Sequence, residues 1–151
     1  MSAQANIVAF DGAATPVSHT LVPMGVAMEK TGDLTAYWCE KLASVPEAGA
    51  VKFKQTKRKL PSGITRVTTV TEVPVMESVS GVNAAGYTAA PKVAYTNTVI
   101  TIGLFSERAT PAERKLARQL ALNINGSVST SVAPVVTGPV PELIDLNIQA
   151  S

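Results

Sequence analysis

From position 51 to position 104 the chain is written in β-like runs separated by breakers. Val51 to Leu60 and Ile64 to Val73 are dominated by β-branched, aromatic and basic residues, and Pro61-Ser62-Gly63 between them reads as a tight turn. The two runs predict a pair of long antiparallel strands. Pro74 is expected to stop the second, since proline has no N–H for a ladder. Residues 75–91, rich in Gly, Ala and Ser, then form a loop long enough to be of a kind that is usually functional or flexible, and Val93 to Leu104 is the next strand. Upstream, the apolar run Ile7 to Phe10, the Asp11-Gly12 pair and the β-like pattern of Val17 to Val22 predict an N-terminal hairpin within residues 1–24. Pro23 to Gly32 reads as a loop or a bulged passage, and Leu34 to Leu42, with Tyr37 and Trp38, as a further strand.

After Leu104 the period changes from two to 3.6. Thr110 can cap a helix, Pro111 suits its first turn, Glu113 completes a capping box and Asn125-Gly126 ends it, which predicts a helix over 110–125. Leu116, Leu120 and Ile124, flanked by Ala117 and Ala121, make a stripe expected to lie on the sheet, with Arg114, Lys115 and Arg118 pointing elsewhere. In the tail, 127–151, Pro141 to Gln149 fits either a second short helix or a strand. Strands first and helices last make an α+β chain: a hairpin, an antiparallel sheet over 33–104 and a C-terminal helical part. Its length suits one core but not two, so residues 1–151 are expected to form a single domain.

Composition adds a demand for partners. Hydrophobic residues are 46% of the chain and charged ones 16%, against about 25% in ordinary soluble domains. Too few charges remain to coat a lone monomer, so part of the surface is expected to be covered by other copies or another partner. No apolar stretch approaches the roughly 18 residues of a membrane-spanning helix, and Met1 to Phe10 lacks the basic start of a signal peptide; a protein that stays soluble inside a cell, without membrane partners, is expected. Cys39 is the only cysteine, which excludes an intrachain disulfide and suits a reducing compartment.

Catalytic chemistry has little material. One histidine and one cysteine leave almost no material for a metal site or for a nucleophile with its base: His19 reads as a surface residue of the hairpin, and Cys39 as a packed core or interface neighbour of Trp38. Glu72 and Glu77 sit at a strand end and in a loop, with no other sign of acid–base work. No metal, no cofactor and no enzyme activity are expected.

The net charge is only +2, but five of the 13 Lys and Arg residues fall between Lys52 and Lys59, and four more at Arg108, Arg114, Lys115 and Arg118. Alternation along a strand puts Lys52, Lys54, Thr56 and Arg58 on one face and Phe53, Gln55 and Lys57 on the other. Antiparallel pairing through the Pro61 turn extends that donor ladder to Arg66 and Thr68, a surface suited to phosphate oxygens. A basic strand alone equally describes a solvated sheet face or a charged edge that deters aggregation. Tyr95 and Asn97 change the balance, because they share a face of the next strand and offer a ring for stacking on an unpaired base and an amide for sugar or base edges.

At this point the chain, from about Asn6 to Ile124, resembles the coat proteins of small single-stranded RNA bacteriophages of the levivirus type. In that family a Tyr-x-Asn strand leads through a β-rich run to a Phe and an amphipathic helix, which is similar to Tyr95-Thr96-Asn97, Ile100-Thr101-Ile102, Phe105 and the Thr110 helix. Thr71-Glu72-Val73-Pro74 resembles the end of the strand before the family's long loop, and Lys52 to Arg58 the strand that contacts RNA; the Asp11-Gly12 hairpin and the Trp38 strand also fit.

The resemblance implies an intertwined homodimer whose sheets join and whose helices cross over the partner, with dimers closing into an icosahedral capsid around the genome. The 75–91 loop would gather at the symmetry axes. The exposed sheet face would line the shell and bind an RNA stem-loop overlapping the replicase start, repressing translation. The protein would then reside in the virion, and in the host bacterial cytoplasm during assembly. Carried over residue by residue, the RNA-binding set is Lys52, Lys54, Thr56, Arg58, Arg66, Thr68, Tyr95 and Asn97, with Tyr95 as the stacking partner. Val70 and Val99 stand where some relatives carry polar or charged groups, and Lys54 is bulkier than the small polar residue of the pattern.

Overall fold

The computed structural model describes residues 3–77, 86, 90–129 and 135–151. Six strands form one antiparallel sheet in sequence order: β1 (Ile7–Phe10), β2 (Ser18–Met28), β3 (Leu34–Glu40), β4 (Lys52–Lys59), β5 (Thr65–Met76) and β6 (Val93–Phe105). Two helices follow, α1 (Pro111–Asn125) and α2 (Pro139–Asp145). This is the α+β architecture expected.

The turns are made by the residues singled out. Asp11 accepts from the N–H groups of Ala13 and Val17 at 3.1 and 3.0 Å, and Gly12 takes a positive φ of 72°. Between β4 and β5, Leu60 N–H donates to Ile64 O at 2.8 Å, with Gly63 at φ 77°, a conformation an L side chain would strain. The passage after Pro23 is a bulge rather than a loop: the β2–β3 register shifts between Pro23 and Gly25, and β2 then continues to Met28. The Gln4 amide fastens to this point, donating to Gly25 O and Tyr37 O.

Pro74 does not end its strand. The β4–β5 pairing runs out at Lys52↔Glu72, whereas β5 stays paired with β6 through Pro74↔Thr96 to Met76↔Val93. Pro74 therefore lies past the last β4 partner, where a missing N–H breaks no ladder with that strand. The long loop is correspondingly shorter than expected, and its residues 78–85 and 87–89 lie outside the described set.

The core occupies one side of the sheet. Leu21, Ala36, Trp38 and Ala150 are buried together, with Ile7, Val26, Val51 and Phe53 packed around them. The chain's two ends close over this side: Trp38 Nε1–H donates to Ala5 O at 2.9 Å, Lys57 Nζ to Asn147 O at 2.7 Å, and Gln4 N–H to Ser151 O at 3.1 Å. Cys39 is buried, as its neighbours imply.

The α1 cap is formed as read: Thr110 Oγ1 accepts from Glu113 N–H, and Glu113 Oε2 accepts from Thr110 N–H at 2.7 Å. The helix does not, however, lay its stripe on its own sheet. Leu116, Leu120 and Ile124 are 60%, 52% and 74% exposed, whereas Arg118 is buried. Arg118 makes a two-armed ion pair with Asp145 (2.9 and 2.7 Å), and Arg114 donates to Asp145 O, so the polar side of α1 is committed to α2. The ambiguous tail segment is thereby resolved as a helix ending at Asp145.

Candidate nucleic-acid interface

The strand registers decide which side chains meet, because directly paired residues point the same way. The β4–β5 pairs Lys52↔Glu72, Lys54↔Val70, Thr56↔Thr68 and Arg58↔Arg66 put six of the expected residues on one face, opposite the side that holds Trp38 and Phe53. Lys52, Lys54, Thr56, Arg58, Arg66 and Thr68 thus form a two-strand ladder clear of the tail. Of these, Arg58 is exposed and the other five are partly exposed.

The third strand departs from expectation. The β5–β6 pairs Val73↔Asn97 and Val75↔Tyr95 place Asn97 and Tyr95 in line with Thr71 and Phe53, on the core side; Thr96, Thr98, Ile100, Ile102 and Leu104 take the ladder side. Tyr95 and Asn97 are exposed there, so this chain by itself does not join them to the ladder. Period-two alternation within each strand was readable, and so was the β4–β5 parity through its tight turn; the β5–β6 parity was not, because across the long connection it depends on a register set by tertiary pairing.

Two groups beside the ladder went unread. The β2–β3 turn supplies a wall of Glu29, Lys30, Thr31 and Asp33 to a groove whose floor is Lys54, Thr56, Arg58, Arg66, Thr68 and Val70. Asp33 Oδ2 lies 3.6 Å from Arg58 Nη1 and accepts from Thr31 Oγ1 at 2.8 Å. Glu72, which lies within β5 rather than at its end, sits 4.0 Å from Lys54 Nζ. From β3, Thr35 is fully buried and its hydroxyl lies 2.7 Å from that of Thr56, while Tyr37 donates to Glu29. Asp33 immediately precedes the Leu34↔Lys57 pair, the only local signal that it would reach Arg58.

The remaining cations serve other ends. Lys57 and Lys59 point to the opposite side, where burial, with Arg114 nearby, lowers the Lys57 ammonium below the usual lysine range, and Lys59 pairs with Glu107 at 2.7 Å. Arg114 and Arg118 clamp α2, so two of the four cations of the second basic cluster are committed to that contact, while Arg108 is exposed and Lys115 half-buried. His19 is not a free surface residue: its Nδ1 lies 2.9 Å from the buried Glu40 carboxylate. Among the described residues no group of His, Cys, Asp and Glu is arranged to hold a metal, and no helix is long and apolar enough to cross a membrane.

Residues 2–139 match the family model for the levivirus coat protein. The fold is similar to the virus-like particle of bacteriophage EMS014 (TM-score 0.71, 30% identity, 90% of this chain and 86% of that one) and to the virus-like particle of bacteriophage ESE058 (0.67, 26%, 97% and 98%). It also resembles the bacteriophage GA protein capsid at 18% identity (0.55, 94% and 93%), a likeness of fold alone. No curated protein sequence matches. The chain belongs to the levivirus coat protein family, and its role is that of a structural protein of the capsid, not an enzyme.

Proposed function

We propose that this chain forms an intertwined homodimer that assembles into an icosahedral shell, and that the β4–β5 ladder faces inward and holds the single-stranded RNA genome. The observation that carries the RNA contact is the gathering of Lys52, Lys54, Thr56, Arg58, Arg66 and Thr68 on the uncovered side of the sheet. Four cations and two hydroxyls in that array can neutralise and hydrogen-bond successive phosphates, which gives affinity without fixing sequence. Recognition of one stem-loop, as a repressor of replicase translation, would need base contacts in addition. The bacterial cytoplasm is where shell and genome would meet.

Dimerisation is supported by what the monomer leaves open. The stripe of Leu116, Leu120 and Ile124 faces solvent, and β6 is an edge strand with Val99, Ile100, Ile102 and Leu104 exposed. Burying each such side chain contributes about 1.5–3 kcal/mol, so covering them with a second copy is strongly favoured.

Expression of the chain alone, with electron microscopy and measurement of nuclease-protected RNA, tests both parts. Uniform RNA-filled particles are expected. The variant combining Lys52→Ala, Arg58→Ala and Arg66→Ala should still assemble but enclose markedly less RNA; undiminished RNA content would defeat the ladder assignment. Tyr95→Ala is the discriminating arm. With the ring on the core side, RNA affinity should hold, whereas a loss of about 1–3 kcal/mol would mean that β6 stacks its Tyr on bases after all.

A further inference from the structure

We propose that Asp33 and Glu72 act as built-in competitors of RNA on the ladder: they hold its cations while it is empty and must be displaced for phosphate to bind. This inference rests on the RNA role proposed above and assigns to these two carboxylates the control of its strength. Arg58 and Arg66 lie directly opposite one another in the β4–β5 register, and like charges so placed destabilise a sheet. Asp33, 16% exposed and tied down by Thr31, stands 3.6 Å from Arg58 and relieves that repulsion. At the other end Glu72 is paired directly with Lys52 and lies 4.0 Å from Lys54. A phosphate oxygen seeks the same guanidinium and ammonium protons, so it competes with these carboxylates and is repelled by them.

Both contacts are loose and partly exposed, so exchange is easy; a pair of this kind alters binding by only a few-fold. Their value lies in selection. A single ion meets each cation already partly neutralised and gains little by exchanging with one carboxylate, whereas a polyanion that engages all four cations at once gains at every exchange. The empty platform is thereby stabilised, and small anions are kept off it.

The test measures binding of the full chain, kept below its assembly concentration, to a fluorescent uridine homopolymer about 20 nucleotides long, over a range of salt. Asp33→Asn and Glu72→Gln should each tighten binding about two- to five-fold and steepen the log–log salt dependence by about 0.7. Asp33→Asn should also lower the unfolding midpoint, a stability loss paired with an affinity gain. Glu107→Gln, which removes an equal charge beside Lys59 on the other side of the sheet, should leave affinity and salt slope unchanged. Wild-type affinity in both Asp33→Asn and Glu72→Gln, or equal tightening by Glu107→Gln, overturns the inference. RNA binding that is absent, or indifferent to Lys52→Ala and Arg66→Ala, overturns the underlying RNA role instead.

Discussion

Single residues hold the turns that position the ladder. Asp11 is the plainest case, because the Val17 and then the Ala13 N–H groups stabilise its ionised carboxylate and hold its pKa below the ordinary 3.8. A group whose folded value is depressed contributes stability that is fully present above the unfolded value and lost as pH falls through the folded one. The Ala13 and Val17 amide shifts should therefore titrate together in NMR, with a midpoint below 3.8; a midpoint at or above that value would rule out the hydrogen-bonded carboxylate. Such local devices are what a single sequence displays best. The Asp11-Gly12 hairpin, the Gly63 turn and the Thr110–Glu113 box each lie within a few residues and obey local stereochemistry. The partners of Arg118, Lys57 and His19 lie at Asp145, Asn147 and Glu40, and nothing nearby in the chain announces them.

Among the elements, the strands were legible, and so was the parity of β4 with β5 across their tight turn, but the parity of β5 with β6 was not. Each strand carries its own alternation, so Lys52 to Arg58 separate cleanly from Phe53 to Lys57. Whether Tyr95 then falls beside Lys54 or behind it turns on a one-residue choice between β5 and β6, which leaves the alternation within each strand unchanged. The helix stripe has the same ambiguity, since amphipathicity announces a buried face without saying what buries it. In this chain the polar face found a partner first, through Arg118 and Asp145, whose side chains are each only 7% exposed. Breaking a buried pair strands the remaining charge, so Asp145→Ala should cost about 3–5 kcal/mol in denaturant unfolding. The double replacement Arg118→Met with Asp145→Leu should recover most of that loss. Near-wild-type stability in Asp145→Ala would show that Leu143 packing and the Arg114 bonds to the Asp145 carbonyl hold α2 without the ion pair.

At the scale of the whole molecule, the low charge content and the exposed apolar surface describe the same incompleteness. The stripe on α1 and the face of β6 are surfaces a lone chain leaves to water, and an interface between copies would cover both. Replacing Leu116 and Leu120 by Lys should leave the sheet folded by circular dichroism, because neither side chain packs in the monomer core, yet abolish dimers in analytical ultracentrifugation. Dimers surviving that double change would place the contact elsewhere.

The placement of Ala150 against Trp38 also sets an order of events during synthesis. Each strand pairs with the one translated just before it, so the sheet can zip up as the polypeptide leaves the ribosome. The indole, by contrast, waits until Ala150 has been made before that part of its cover arrives. Until then a nascent coat protein carries an oily spot beside Trp38, and α1, with its outward leucines, is synthesised ahead of the residue that covers that spot.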